Sequence, residues 1–407
     1  MIWRHLRRLA VALGLWFVCH GVWAQATLGL VAYYSFDLCD ASDDTGNGAD
    51  GVISGAPDCE CGPSGNALRL NGVNDDLRFL GSFDLLFAGD FTISFYFLPE
   101  NSPGIIDILS KKENCTIDNS IAIRYESGSQ TLRAEIAESI NFRSESRAVL
   151  DGPECWKHIT WVRNGANLFL YVNGVLVHTV NTPGFLDVSN NGIMSIANSP
   201  CLANGEQRFA GRIDELRMYN RALSTAEVGG LYLQIDHIAT RDTFVFLGDG
   251  AQISVPNSCA LGFTWSPTNN VVTPGISEPF ISPTQTTTYQ LRMDYPSCFA
   301  TDTVRITVID SSQVDCNDVF VPNAFTPNGD HLNDEFGVSN RFFLGEFIAL
   351  EIYDRWGSQL FRSVDPFVKW DGTANGEDSI PDMYLYKLYY RCNGEEQARA
   401  GGFNLIK

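Results

Sequence analysis

Alternation between apolar and polar side chains is the feature that most constrains how this chain can fold. In residues 91–97, four large apolar side chains alternate with Thr, Ser and Tyr. A period of two places every second side chain on one face of a β-strand, so this segment predicts a strand with one apolar face. Asn164-Gly165 and Asn173-Gly174 divide residues 158–180 into three strand-like segments. Because Asn-Gly favours type I′ turns, these segments predict a three-stranded meander.

The composition agrees with an all-β protein of several domains. The 407 residues exceed one ordinary domain, and 36 Gly and 17 Pro with few helical patterns indicate turn-rich architecture. One short helix is predicted where Ser224 and Glu227 have the spacing of a capping box. The net charge of −20 would repel a phosphate backbone, which argues against a nucleic-acid-binding protein.

The first 24 residues have the parts of a secretory signal peptide. Three arginines precede the apolar run Leu9–Cys19, and Val22-Trp23-Ala24 offers a cleavage site. The run is shorter than the roughly 20 residues that a spanning helix needs, and no later segment is apolar enough. We therefore predict an exported protein without a transmembrane segment.

The cysteines predict disulfide bonds. Ten of the 11 cysteines remain once Cys19 leaves with the signal peptide, and none lies beside histidines in a zinc-site pattern. In an oxidising compartment, each disulfide bond would contribute roughly 2–4 kcal/mol. Cys316 and Cys392 are two of the candidates, and the pairing among the six cysteines of the first domain stays open.

Motifs in residues 25–233 resemble those of the laminin-G-like domains of the concanavalin A-like jelly-roll family. They are, in order, Leu30–Asp37, Leu70–Gly72, Trp161, Tyr171–Gly174, Gly211–Glu215 and Asn220–Ser224. The resemblance implies a sandwich of two curved antiparallel sheets. Asp76 departs from the family pattern, which often has an aromatic residue at that position.

Residues 241–310 contain a second strand pattern. Trp265-Ser266-Pro267 and Thr286–Tyr289 resemble bacterial immunoglobulin-like or PKD-like sandwich modules. We expect the tryptophan to fill the centre of a small core. Cys259 and Cys298 fall in neighbouring turns, and we expect a bond between them that ties loops together at one end of this module.

The last segment, residues 316–407, has the most specific pattern. Its motifs are Phe320–Asp330, Asn333–Phe336, Ile352–Gly357, Trp370–Gly372, Tyr384–Leu388 and Gly402–Lys407. This succession resembles the type B C-terminal sorting domain of the type IX secretion system, also called the gliding-motility-associated C-terminal domain. His331 and Met383 stand where that family usually has glycine. The resemblance implies export by the type IX secretion machinery to the cell surface or the medium.

Catalysis on a jelly roll would need a defined pair of carboxylates. Retaining glycosidases place two of them about 5–5.5 Å apart, and jelly-roll enzymes resembling laminarinases have Glu-x-Asp-x-x-Glu on one strand. That run is absent here, and Glu135 and Glu138 fall on opposite strand faces by parity. The sequence therefore predicts a protein that is not an enzyme, with a carboxylate pair assembled only by folding as the alternative.

Calcium is the cofactor that the sequence favours. This ion takes six to eight oxygen ligands, and acidic residues crowd the loop 37–47. The laminin-G resemblance implies that Asp37 and Asp214 meet at a structural calcium site, with a solvated acidic loop as the alternative. Residues 328–334 also imitate a calcium loop, although the sorting-domain resemblance favours a structured turn there.

The sequence offers few candidates for sugar binding. Tyr125, Trp156 and Trp161 could stack on sugar rings, but Trp161 lies in an alternating strand and is predicted to be core. His158 and His178 are predicted to be ordinary strand or surface residues. We therefore predict a secreted or cell-surface, adhesin-like protein whose jelly roll binds an extracellular carbohydrate or glycoprotein. The alternatives are a polysaccharide-degrading glycoside hydrolase and a structural surface protein without a discrete ligand.

Overall fold

The fold is described from a computed structural model. It covers residues 27–80, 83, 86–100, 103–310, 318–328, 333–339, 344, 346–374, 377–392 and 394–406. The predicted signal peptide, Asp330 and Cys316 lie outside these residues. The chain divides into two compact units: the first is Met1–Arg241, Gln252–Ile281 and Thr288–Arg305, and the second is Asp242–Ala251, Ser282–Thr287 and Ile306–Lys407.

Among the described residues, sixteen strands form the jelly roll of the first unit. The sandwich of antiparallel sheets predicted from the sequence is confirmed. The strands are β1 (Leu30–Tyr34), β2 (Gly51–Ser54), β3 (Asp58–Cys61), β4 (Asn66–Asn71), β5 (Asp76–Phe79), β6 (Phe91–Pro99), β7 (Ile105–Lys111), β8 (Ser120–Glu126), β9 (Thr131–Ser139), β10 (Phe142–Val149), β11 (Lys157–Asn164), β12 (Asn167–Val172), β13 (Val175–Asn181), β14 (Met194–Ile196), β15 (Gln207–Arg208) and β16 (Ala210–Tyr219). Sheet A has the order β13-β12-β11-β6-β16-β4-β3, with β1 on β16. Sheet B has the order β10-β9-β8-β7-β14-β5-β2, with the short β15 parallel to β7.

The predicted meander is confirmed as β11, β12 and β13, which pair antiparallel in sheet A. Asn173 and Gly174 both have positive φ, as a type I′ turn requires, whereas at the first turn only Gly165 does, because Asn164 still pairs with Asn167. The apolar side chains of β6 face the core between the sheets, where Phe91 meets Trp161 edge to face at 5.4 Å. This core holds the two sheets together.

Part of the outer side of sheet A is covered by a helix rather than exposed to water. The helix α1 (Thr225–Leu231) begins at Ser224, and the predicted capping box with Glu227 is present. Val228 and Leu231 of this helix pack in one cluster with Val162 of β11. Because of this cover, the polar residues of β6 are buried as well as its apolar ones.

The first unit also contains strands that follow the jelly roll. The next strands along the chain are β17 (Thr243–Phe246), β18 (Ala251–Gln252), β19 (Gly262–Ser266), β20 (Phe280–Ile281), β21 (Thr287–Asp294) and β22 (Phe299–Ile309). Of these, β17 and the end of β22 belong to the second unit. In the first unit, β19 pairs with β21, and β22 lies next to β21. Trp265 of β19 is fully buried, as expected, and its Nε1 donates to the carbonyl of Ile276 at 3.0 Å.

Two disulfide bonds join these strands to the jelly roll. Cys61 is bonded to Cys259 and Cys155 to Cys298, with Cα atoms 5.6 and 6.0 Å apart. The expected bond between Cys259 and Cys298 is therefore wrong. Each of these two turns faces a loop of the jelly roll instead of the other turn, and Cys259 Sγ lies 3.2 Å from the carbonyl oxygen of Gly62.

Two further disulfide bonds lie within the jelly roll. They are Cys39–Cys59 and Cys115–Cys201. In the second unit, Cys392 is disulfide-bonded.

The second unit has a five-stranded sheet with an aromatic core. Its strands are β23 (Ala324–Phe325), β24 (Glu346–Tyr353), β25 (Gln359–Ser363), β26 (Thr373–Ala374), β27 (Glu377–Asp378), β28 (Met383–Cys392) and β29 (Glu395–Leu405). The sheet order is β23-β29-β28-β24-β25, and β26 pairs with β27. Phe336 stacks on Phe403 with ring centres 3.5 Å apart, and Trp370 is buried in the same cluster. Aromatic residues of five sequence motifs thus form this core, whereas Phe320 and Trp356 of the same motifs are exposed.

Candidate functional site

A charged cavity of about 280 Å³ lies on the outer face of sheet B. The β-sheet register places Asp107 opposite Arg124, and Ala122 opposite Glu135. Since paired residues share a face, these side chains point away from the core, whereas the neighbouring Ile123 points into it. The side chains that line the cavity include Lys112, Ser120, Arg124, Glu135 and Glu206.

Local features of the chain bring Glu206 to this face. β15 pairs with β7 so that Gln207 lies beside Ile106 and Arg208 beside Asp107. Glu206 comes just before this pairing, and the Cys115–Cys201 disulfide fixes the preceding turn against the opposite loop. Residues 199–207 therefore form one wall of the cavity, which we call the cavity wall.

Arg124 is the central cation of the cavity. Its Nε lies 2.9 Å from Oε1 of Glu206, and its Nη1 lies 3.7 Å from Oε2 of Glu135. Glu206 also accepts a 2.9 Å hydrogen bond from the hydroxyl of Ser199. The guanidinium thus forms ion pairs with two carboxylates on different elements.

Asp107 lies beneath this pair and is fully buried. Burial first, and then the nearby carboxylate of Glu206, raise the pKa of Asp107 to about 7 against the opposing effect of Arg124 and Lys112. Lys112 has a lowered pKa, chiefly because of burial and then because of Arg124. Neither oxygen of the buried Asp107 carboxyl has a hydrogen-bond partner among the described residues.

Sequence reasoning identified only part of this cavity. The sequence analysis considers Glu135 and Glu138 as a possible carboxylate pair. The structure places Glu135 at the cavity and leaves Glu138 exposed. Asp107 and Glu206 are about a hundred residues apart, and nothing in their local patterns indicates that they meet. A carboxylate cluster assembled by folding is thus present, although its Asp107 has no exposed surface.

The predicted calcium residues both contact the loop 62–66. Oδ1 of Asp37 accepts a 3.0 Å hydrogen bond from the backbone N–H of Asn66, and Oδ2 of Asp214 accepts a 3.3 Å bond from that of Ser64. Oδ1 of Asp214 accepts a further bond from the N–H of Glu215. Burial raises the pKa of Asp214 to about 9, with Glu215 and Asp37 adding to the effect.

Across the part of the chain that the structure describes, no three His, Cys, Asp or Glu side chains form a group that could hold a metal ion. In the second predicted loop, the N–H of Asn328 donates to Asp334 at 2.9 Å, as a structured turn would have it. The carboxylates of Asp37, Asp214 and Asp334 thus accept hydrogen bonds from backbone N–H groups.

The aromatic candidates for sugar stacking are core residues. Tyr125, Trp156 and Trp161 are all buried, so a stacking surface made by them is wrong, and the predicted core position of Trp161 is confirmed. His158 lies in a strand, as predicted, but it is buried. Its Nε2 forms a 2.8 Å hydrogen bond with the hydroxyl of Ser94, which is also buried. Burial and then Arg217 lower its pKa to about 3. A buried, neutral pair of this kind has no access to a substrate.

Two family models match the chain. Residues 71–229 match the concanavalin A-like lectin/glucanases superfamily, and residues 319–405 match the CHU_C type IX secretion signal domain. The protein therefore contains a concanavalin A-like domain followed by a type IX secretion signal domain, which directs it to the extracellular space or the cell surface. None of the described helices has the length and apolarity to cross a bilayer. No curated protein matches the chain.

Solved structures resemble the chain at low TM-scores. Domain 4 of an extracellular GH43 arabinanase from Geobacillus stearothermophilus, solved with arabinotriose, is 23% identical with a TM-score of 0.42, covering 50% of this chain and 98% of that chain. The binding domain of botulinum neurotoxin DC, in complex with SialylT, is 11% identical with a TM-score of 0.44, covering 93% and 94%. The binding domain of Paraclostridial Mosquitocidal Protein 1 is 14% identical with a TM-score of 0.45, covering 93% and 91%.

Proposed function

We propose that this exported protein is adhesin-like and that its concanavalin A-like domain binds an extracellular glycan, either free or on a glycoprotein. The supporting observation is the cavity on sheet B, together with the secretion signal domain that brings it outside the cell. A volume of about 280 Å³ is at the small end of ligand pockets and suits one sugar unit at the end of a chain.

The chemistry of the cavity suits hydroxyl groups. Glu135 and Glu206 accept hydrogen bonds, Arg124 and Lys112 donate them, and Ser120 can do both. Sugar hydroxyls also donate and accept, so adjacent hydroxyls can bridge a carboxylate and a guanidinium. Because Arg124 is already held by its two carboxylates, these groups need little reordering when a ligand binds.

The same geometry supports binding without hydrolysis. A glycosidase needs an acid that reaches the glycosidic oxygen and a second carboxylate at the sugar carbon. Asp107 has the raised pKa of an acid but no exposed surface, and Glu206 and Glu135 are both engaged with Arg124. The proposed activity is therefore recognition.

A glycan array followed by calorimetry on the full chain tests this proposal. We expect saturable binding that Glu135→Gln weakens about tenfold or more, because a hydrogen bond to a charged group contributes about 1.5–3 kcal/mol. Glu138→Gln is the matched control, since it makes the same change at an exposed position on the same strand. Absence of saturable binding would favour a structural surface protein. Release of reducing sugar that Glu135→Gln abolishes would favour the hydrolase.

Calcium at Asp37 and Asp214 stays a prediction of the family resemblance. A bound ion would place a positive charge beside the buried carboxyl of Asp214. That charge would keep both Asp37 and Asp214 ionised. If calcium binds there, millimolar calcium raises the melting temperature of the protein but not that of Asp214→Asn. The exposed Asp40→Asn serves as the control, because it removes an acid of the same loop.

A further inference from the structure

We propose that the Cys115–Cys201 disulfide is a reactive bond and not only a structural one. The thiolate of a low-molecular-weight thiol attacks Cys115 and forms a mixed disulfide there, while Lys112 protonates the departing Cys201. Cys115 is thus a modification site at the edge of the cavity, and its modification removes the covalent tie of the cavity wall. The inference does not depend on what the cavity binds.

The two sulfurs of this bond differ in their access to solvent. Both cysteines line the cavity, but Cys201 is only 7% exposed, whereas Cys115 is half-buried. Thiol–disulfide exchange requires that the attacking thiolate reaches one of the two sulfurs. A thiolate from solvent therefore reaches Cys115, and Cys201 is the sulfur that leaves.

The leaving sulfur has a cationic side chain beside it. Lys112 Nζ donates to Cys201 Sγ at 3.6 Å, and the Lys112 side chain is buried. Exchange is faster when the leaving thiol has a lower pKa, and a neighbouring cation stabilises a thiolate. The contact with Lys112 should therefore speed the departure of Cys201.

The groups packed around Lys112 leave its amine available as a donor. Burial and then Arg124 lower its pKa, so its proton is held less firmly than that of an exposed lysine. Three carboxylates act in the opposite direction and favour the ammonium form; they belong to Glu206, Asp107 and Glu135. The ammonium is thus both a hydrogen-bond donor to the sulfur and a source of the proton that the leaving thiolate needs.

Two further arginines near this cluster are paired with acids that do not line the cavity. Arg133 contacts Glu126 at 2.8 Å, and Arg208 contacts Asp76 at 3.2 Å. These two cations therefore have their own partners, and the contact between Lys112 and the disulfide does not involve them.

The other disulfide bonds have different surroundings. Of the four bonds for which the structure describes both cysteines, only Cys115–Cys201 accepts a hydrogen bond from a cationic side chain. The sulfurs of Cys39, Cys61 and Cys259 instead lie 4.0, 4.0 and 3.2 Å from backbone carbonyl oxygens. Because a carbonyl oxygen carries partial negative charge, it disfavours a thiolate beside it. We therefore expect the Cys115–Cys201 bond to open first.

The exchange balances with the thiol as its only reductant. The electron pair of the attacking thiolate forms the new bond to Cys115, and the pair of the old bond leaves on Cys201 Sγ. Lys112 Nζ gives that sulfur a proton and regains one from water. A second thiolate then attacks the external sulfur of the mixed disulfide, which releases Cys115 and converts the thiol to its own disulfide.

Limited reduction of the native full chain by 2-mercaptoethanol at pH 8 tests this inference. Samples taken over time are alkylated with iodoacetamide and mapped by peptide mass spectrometry. We expect alkylated Cys201 and mercaptoethanol on Cys115 to appear before the Cys39–Cys59 bond opens, although Cys59 is exposed. Access alone would predict the opposite order.

Two variants test the role of Lys112. Lys112→Met keeps the length of the side chain without its charge, so the Cys115–Cys201 bond should open about tenfold more slowly, whereas Lys112→Arg should keep most of the rate. Opening of Cys39–Cys59 in the same molecules is the internal control and should not change.

Three results would overturn the inference: opening of Cys39–Cys59 first in the wild type, a mixed disulfide on Cys201, or an unchanged rate in Lys112→Met. If Lys112→Met does not fold, the order of opening and the cysteine that carries the mixed disulfide in the wild type still decide.

Discussion

At the residue scale, Gly65 shows how closely Asp37 fits its loop. A Cβ at this glycine would overlap Oδ1 of Asp37, and its φ of +72° disfavours other residues. Gly46 has a matching φ of +73°, but no atom lies within 4 Å of the position that a Cβ would occupy there. Gly65→Ala should cost about 1 kcal/mol more than Gly46→Ala, because it also breaks the Asp37–Asn66 hydrogen bond. Denaturant unfolding of both variants measures this difference, and equal losses would contradict it.

Asp214 provides a second residue-scale prediction, on pH. A carboxyl whose pKa is higher in the folded than in the unfolded state favours folding at low pH, and this contribution is lost as pH rises toward the folded pKa. For Asp214 that interval runs from about 4 to about 9. The free energy of unfolding of wild type relative to Asp214→Asn should therefore fall from pH 5 to pH 9. Urea unfolding with a chelator present measures it, and a constant difference would disprove the buried, protonated state.

At the scale of elements, α1 depends on its first residue. The Ser224 hydroxyl accepts from the N–H of Glu227, and the Glu227 carboxylate accepts from the N–H of Ser224. Ser224→Ala should lower the free energy of unfolding by about 1 kcal/mol, whereas Ser224→Asp should nearly preserve it, because Asp is an equally good N-cap. Thermal unfolding compares the two. A similar loss in both variants would show that the cap is not the source of the stability.

Elements with local signals could be predicted from the sequence. The Asn-Gly turns, the alternation in β6 and the capping box of α1 each depend on residues a few positions apart, so their patterns survive in the sequence. The burial of Ser94 and His158 depends instead on what covers sheet A, and the cavity depends on β15 meeting β7. Such contacts join residues far apart in the chain, and no local spacing encodes them. The jelly roll was predictable for this reason, and its charged cavity was not.

At the scale of the whole molecule, the first unit is joined by side-chain contacts as well as disulfide bonds. The Asp236 carboxylate accepts hydrogen bonds from the hydroxyls of Tyr295 at 2.7 Å and Ser258 at 2.6 Å. Burial raises the pKa of Asp236. Asp236 follows the jelly roll directly, and its two partners lie close to Cys298 and Cys259 in the chain. The disulfide bonds thus close a contact that is also polar and buried.

This connectivity predicts how a cut chain behaves. A specific protease site inserted between Arg241 and Asp242 would divide the chain after the jelly roll. The two fragments should stay joined on a denaturing gel without reductant, because Cys61–Cys259 and Cys155–Cys298 both cross the cut. Replacing Cys61 and Cys155 with Ser should release them, whereas replacing Cys39 and Cys59 should not, since that bond lies on one side of the cut. Fragments that separate without reductant would instead support the bond between Cys259 and Cys298 that the sequence suggested.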